Sequence, residues 1–147
     1  MIRFKLPENP ENRDRIQVLL SWLAALLLAG FLFMMTCISF DVNRTSTIAM
    51  KKFGGDRVTA LTRLIEAPEI TLNVKNDAVW ALGQLGDERA LPTLERYYHG
   101  GECNHDSTLC QYELKKALTK CRGGFNPTAL TWRWAVQPKD SLTHRND

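Results

Sequence analysis

The chain has 147 residues and a formal net charge of +3, from 19 Lys and Arg against 16 Asp and Glu. This length leaves room for one domain. The near balance of charge gives no strong field that would attract nucleic acid, so we expect no nucleic-acid partner.

A run of 25 uncharged residues, from Ile16 to Phe40, dominates the N-terminal part. A helix needs about 20 apolar residues to cross a bilayer, whereas a signal peptide has an apolar region of roughly 7–15 residues and a small-residue cleavage site. The run therefore predicts an uncleaved transmembrane helix over 16–40. A polar tail over 1–15 precedes it, and a polar linker over 41–54 follows.

The membrane orientation is only weakly encoded, because four basic residues lie on each side of the span. The positive-inside rule is therefore nearly neutral. Arg13 and Arg15 are the basic pair nearest the membrane, and a short tail before a single anchor usually stays in the cytoplasm. We expect a bacterial inner-membrane protein with a cytoplasmic N-terminus and the following domain outside.

Small residues recur every four positions within the span, at Ser21, Ala25 and Ala29. This spacing places them on one helix face, where small side chains let two helices approach closely. The stripe predicts helix packing in the membrane, although a leucine-rich span also contains small residues by chance.

Two helices are predicted after the linker. Asp56 is a plausible N-cap for the first, which stops at Pro68. The second runs from about Thr71 to Leu85, where its apolar residues follow one helical face. Gly86 ends it.

Two further helices follow the second Gly-Asp pair of the chain. Asp87 caps the first, which runs to about Tyr98. The other helix starts near Thr108, where Thr108-x-x-Gln111 has the form of a capping box. The glycine pair Gly123-Gly124 ends this helix.

These helices repeat. A shift of 36 residues places the inner positions of the second helix on apolar or thiol residues of the fourth, and a shift of 30 relates the first helix to the third. The Gly-Asp turns are 31 residues apart. The pattern predicts a repeat domain over 55–124 of about two to two and a half helical hairpins, with a third start at 126–130. Residues 125–147 would form a C-terminal cap or tail.

The stretch "VKNDAVWALGQLGDERALPTL", residues 74–94, closely resembles the short HEAT repeat, also called PBS-lyase HEAT-like. The resemblance implies an α-solenoid whose common role is protein–protein binding. The expected fold is therefore all-α: one transmembrane helix followed by a short HEAT-like α-solenoid.

The outer face of the second helix is a candidate binding surface. At 100° per residue, Asn76, Trp80 and Gly83 point away from its apolar side, and Tyr112 and Lys116 are equivalents on the fourth helix. In solenoids the second helices line the concave binding face, so we predict that Asn76, Trp80, Tyr112 and Lys116 contact a partner. The alternative is that the C-terminal segment, with Trp132 and Trp134, folds over Trp80.

The four cysteines divide by position. Cys37 lies in the span, and Cys110 and Cys121 occupy core positions about 16 Å apart by helical rise, too far for a mutual disulfide. Cys103 lies in an insertion, where a Cys103–Cys110 disulfide would pin the loop to the fourth helix. Cys103–Cys121 pairing and free thiols are the alternatives.

The sequence contains little that indicates a metal site or a catalytic site. His105 and Asp106 lie between Cys103 and Cys110, but the close Cys-x-x-Cys clip typical of zinc is missing. The sequence has no nucleophile elbow or phosphate loop, so we expect no catalytic residue, metal, cofactor or small-molecule substrate.

The resulting hypothesis is a membrane-anchored accessory, scaffold or assembly subunit that contacts the lipid bilayer and protein subunits of a larger membrane complex. One alternative is a lyase-like or cofactor-handling protein that works through the insertion. The other is a Cys/His redox or metal sensor.

Overall fold

The computed structural model describes residues 10–103 and 107–129, and all regular structure within them is helical. The chain divides into two compact units, Met1–Cys37 and Ile38–Asp147. The helices are α1 (Pro10–Phe53), α2 (Arg57–Glu66), α3 (Leu72–Leu85), α4 (Leu91–Tyr97) and α5 (Gln111–Cys121), with a 3-10 turn at Glu88–Ala90.

The first unit contains the N-terminal part of α1. Pro10 opens the helix, where its fixed φ and missing N–H are tolerated, so the predicted polar tail is already helical over its last six residues. Apolar side chains such as Leu26 and Phe33 are 68% and 72% exposed. By length and composition, α1 is able to cross a membrane.

The predicted linker over 41–54 is wrong, because α1 continues unbroken to Phe53. Its last turns bury one face at helical spacing: the apolar Val42 and Ala49 and the polar Ser46 are fully buried, and Phe53 packs against the core. Gly54, with φ +67°, follows the end of the helix. The segment that reads as a polar connector is therefore part of the packed second unit.

The first hairpin, α2 and α3, agrees closely with the prediction. Asp56 caps α2, since its Oδ1 accepts the Thr59 N–H at 3.1 Å. α3 ends where Gly86 adopts the left-handed conformation, with φ +62° and ψ +34°, which glycine reaches without a steric penalty.

The second hairpin begins as predicted but differs at α5. Asp87 accepts the Arg89 N–H at 2.9 Å before the 3-10 turn that leads into α4. α5 begins at Gln111, later than expected, with Cys110 as N-cap. The predicted capping box is wrong because the Gln111 side chain is used elsewhere: its Oε1 accepts the His99 N–H at 2.7 Å.

The two hairpins stack, with α3 packed on α5 and α2 beside the 3-10 turn. Their inner side chains form one core that repeats as predicted, in Ala78, Leu82 and Leu85 of α3 and in Leu114, Leu118 and Cys121 of α5. Val74 departs from this pattern, because it is 39% exposed. The expected helical-hairpin fold is otherwise confirmed.

A further helical turn at 127–129 begins where a third hairpin was predicted. Asn126 caps it by accepting the Ala129 N–H at 3.3 Å, and its Nδ2 donates to the carbonyls of Gly83 and Gln84 at 2.9 and 3.1 Å. This turn therefore closes the end of α3. The remainder of the predicted cap, including Trp132 and Trp134, lies outside the described residues.

Candidate partner-binding face

An open groove lies in the second unit between the last turns of α1 and the start of α3. Its volume is about 580 Å³. α1 presents Asp41, Arg44, Thr45 and Ile48, spaced as one helical stripe, and α3 presents Val74, Asp77 and Trp80; Leu64 of α2 completes the lining. We call this the Trp80 groove.

The groove combines an apolar wall with a charged rim. Ile48 and Val74 are 52% and 39% exposed and lie on facing sides of the groove. Asp41, Arg44 and Asp77 supply the rim. Apolar contact area ringed by polar groups is typical of protein interfaces.

Trp80 lies at the inner edge of this groove. It is half-buried and packs against the core, so its indole is not as free as the helical-wheel argument suggested. It also lines a narrow crevice toward α5, with Glu113 and Lys116 opposite. Trp80 thus connects the groove to the face of α5.

The outward orientation predicted for Gly83 is wrong, and Asn76 has a structural role. Gly83 is buried, and a Cβ added there would lie 2.9 Å from the Ala117 Cα. Asn76 is half-buried, and its Oδ1 accepts the Cys110 N–H at 2.9 Å. Asn76 therefore secures the start of α5, and its contact with a partner stays a prediction.

Tyr112 and Lys116 lie together on α5. Tyr112 is 62% exposed, and the Lys116 ammonium lies 4.6 Å from the centre of its ring, within cation–π range. Lys116 also pairs with Glu113 at 2.7 Å. One turn on, burial and the neighbouring Lys116 lower the pKa of Lys120. The arrangement leaves an aromatic surface available beside paired charges.

The predicted cysteine pair is brought together. The Sγ atoms of Cys103 and Cys110 lie 2.8 Å apart as free thiols, so the disulfide itself stays a prediction. Cys121 donates to the Leu82 carbonyl at 3.6 Å, and burial raises the pKa of its thiol to about 11. Cys37 is exposed on α1.

The described residues contain no group of three or more His, Cys, Asp and Glu side chains that would hold a metal ion. His105 and Asp106, two members of the set considered from the sequence, lie outside the described residues. The stripe of Ser21, Ala25 and Ala29 is exposed on α1. Its packing role stays a prediction.

An ion cluster that sequence reasoning missed joins the two Gly-Asp turns. Arg89 contacts Asp56 at 2.6 Å and Asp87 at 2.8 Å. Burial acts to raise the pKa of Asp56, but hydrogen bonds from Thr59 and Arg89 outweigh it, so the pKa is lowered. The Arg89 guanidinium lowers the pKa of Asp87 in the same way. The sequence feature that indicates this cluster is the 31-residue spacing of the two Gly-Asp turns, because equivalent turns of stacked repeats lie side by side.

Taken together, stacked hairpins with equivalent second helices side by side define a helical-repeat module. Residues 74–98, which run from the first turn of α3 to the residue after α4, match the family model of the PBS lyase HEAT-like repeat. This match confirms the resemblance found in the sequence. No curated protein and no solved structure gives a significant match to the chain.

Proposed function

We propose that the chain is a membrane-anchored protein-interaction module, an accessory, scaffold or assembly subunit that docks on another subunit of a larger membrane complex. The apolar part of α1 would serve as the anchor. The Trp80 groove, extended by Tyr112 and Lys116, would bind the partner. The proposal includes no catalytic step, since HEAT-like repeats typically bind proteins.

The exposed apolar surface of α1 supports the anchor. The most apolar segment of this helix is not buried against any other described residue. Moving a leucine such as Leu26 from water to an apolar medium gains about 1.5–3 kcal/mol, and a bilayer provides that medium along the whole run. We propose that the protein is located in a bacterial inner membrane, with its N-terminus in the cytoplasm and the helical hairpins outside.

The observation that carries the binding proposal is the Trp80 groove itself. Trp80 is a large aromatic residue, held against the core from one side and open to the groove on the other. Fixed aromatic residues in pockets are enriched among the side chains that dominate interface energies. Ile48 and Val74 add an apolar wall that a partner side chain would cover.

The charges at the rim indicate what the partner presents. Asp41 and Asp77 give two negative charges against the single positive charge of Arg44. We therefore expect a partner segment with an apolar or aromatic side chain for the groove and a basic residue beside it. Complementary rim charges set orientation and association rate more than affinity.

Site-specific photo-crosslinking in cells tests this proposal. A photoreactive amino acid at Ile48, inside the groove, should yield an adduct with a second membrane protein. The same amino acid at exposed Glu88 is the positional control and should give no such adduct. Trp80→Ala should reduce the adduct about tenfold, since loss of an interface anchor costs more than about 1.4 kcal/mol.

Phe125→Ala is the matched aromatic control, because Phe125 is 92% exposed and lines no part of the groove. It should leave the adduct unchanged. An adduct that forms only within the chain, to the segment around Trp132, would contradict partner binding and support the internal-cover alternative. Release of the protein from membranes by alkaline carbonate would contradict the anchor.

A further inference from the structure

The start of α5 carries a pair of thiols in unlike surroundings. Cys103 is exposed, whereas Cys110 is buried with 6% of its surface accessible, yet their Sγ atoms lie only 2.8 Å apart. A disulfide bond is about 2.05 Å long, so a displacement of less than about 1 Å brings the two sulfurs to bonding distance.

Cys103 has the surroundings of an attacking thiol. Its Sγ accepts the Tyr112 N–H at 3.3 Å, and that N–H belongs to the first turn of α5, where backbone donors have no partner within the helix. The Cys110 thiol and this N–H both lower the pKa of Cys103. The thiolate is the reactive form of cysteine, and a helix N-terminus favours the thiolate by lowering the pKa of the thiol.

Cys110 has the surroundings of a resolving thiol. The Asn76 side chain fixes its backbone by accepting the Cys110 N–H at 2.9 Å. Burial, followed by the contact with Cys103, raises its pKa. It therefore remains a protonated thiol beside Cys103, sheltered from large reagents.

We propose that Cys103 and Cys110 form a site of reversible thiol–disulfide exchange with a disulfide-bearing molecule, in which Cys103 attacks and Cys110 resolves. This inference goes beyond the proposed interaction function and does not depend on it. The co-substrate is a small-molecule disulfide that reaches the exposed Cys103.

The exchange balances in two steps. The Cys103 thiolate attacks one sulfur of the substrate disulfide, forms a mixed disulfide and releases the other half as a thiolate. Cys110 then loses its proton to solvent or to that thiolate, and its sulfur attacks Cys103 Sγ. The internal disulfide forms, and the second half of the substrate leaves as a thiolate that takes a proton from solvent. The substrate disulfide is thereby reduced by two electrons to two thiols, and the Cys103–Cys110 pair is oxidised.

Oxidised glutathione is the probe, added to the reduced full chain in detergent and followed by intact mass. The wild type should lose two hydrogens and, by peptide mapping, retain no glutathione at Cys103 or Cys110; the exposed Cys37 is scored separately. Cys110→Ser should accumulate a stable glutathione adduct at Cys103. Cys103→Ser should react at least about tenfold more slowly, because the remaining thiol is buried and protonated. Cys121→Ser, which changes the other buried thiol of α5, is the control and should behave as the wild type.

A measurement on the wild type alone covers the case in which a serine variant does not fold. Brief alkylation of the reduced chain, followed by peptide mapping, should label Cys103 before Cys110 and Cys121. Preferential labelling of Cys110, a lasting adduct at Cys103 of the wild type, or no reaction of Cys103 with glutathione disulfide would each overturn the proposal.

Discussion

Gly83→Ala is expected to destabilise the stacked hairpins, although the same change stabilises most helices. Replacing a glycine in a helix interior by alanine gains roughly 0.5–1 kcal/mol from reduced backbone entropy. At this position, however, the new Cβ would lie 2.9 Å from the Ala117 Cα and 3.1 Å from its Cβ. Carbon atoms normally pack at about 3.5–4.0 Å.

The clash is with backbone, so no side-chain rotation relieves it and α3 must move away from α5 by about 0.5–1 Å. Overpacking of this kind costs about 1–3 kcal/mol. Subtracting the propensity gain from the middle of this range leaves a fall in the free energy of unfolding of about 1 kcal/mol, within bounds of about 0–2.5 kcal/mol. For a domain of this size the melting temperature should fall by about 4–8 °C for each kcal/mol.

Thermal and guanidinium denaturation of the full chain in detergent, followed by circular dichroism, measures this loss. Gly30→Ala is the matched control, because Gly30 is also helical and its added Cβ meets no atom within 4 Å. It should not lower the stability. If Gly83→Ala is as stable as the wild type or more so, the close contact between α3 and α5 is refuted.

Two further predictions concern the ends of the helices. Asn126→Ala should lower the free energy of unfolding by about 1–2 kcal/mol, because it removes a helix cap and the side-chain donor to the Gly83 carbonyl, whereas the Gln84 carbonyl keeps the Thr128 hydroxyl as a donor at 3.5 Å. Phe125→Ala, in the same denaturation assay, should change it by less than about 0.5 kcal/mol. Acidification should also destabilise the fold, because the pKa values of Asp56 and Asp87 are lowered in the folded protein. The stability that the two ionised carboxylates contribute is fully present above the ordinary pKa of 3.8. It is lost as the pH falls from 3.8 through the lower pKa values of the folded state. Denaturation between pH 7 and about pH 3 measures this loss, and Asp87→Asn should reduce it; an identical pH profile in that variant would contradict the assignment.

The sequence predicted the hairpins well because their boundaries are set by local chemistry. Asp56 and Asp87 are short acceptors that satisfy first-turn N–H groups, and Gly86 supplies the left-handed residue that ends α3. Such signals act over a few residues, so one sequence suffices to read them. The repeat spacing then indicated which helices stack.

The end of α1 was missed for a different reason. The composition between 41 and 54 is polar, and polar composition alone indicates a linker. The relevant signal was the spacing of Val42, Ser46, Ala49 and Phe53, which places them on one helix face. One buried face is enough to continue a helix from an apolar span into a packed unit, and that continuation forms one wall of the Trp80 groove.

The errors on α3 come from its position in the stack. A helical wheel assigns one inward and one outward side, which suits a helix at the surface of a bundle. α3 packs against both α2 and α5, so its buried arc is wide enough to include Gly83 and its outer arc is narrow. Trp80 lies at the border between them, which explains why it is half-buried and still reaches the groove. Trp80 is thus held in place by the core on one side and open to the groove on the other, and this geometry is the basis of the proposed partner contact.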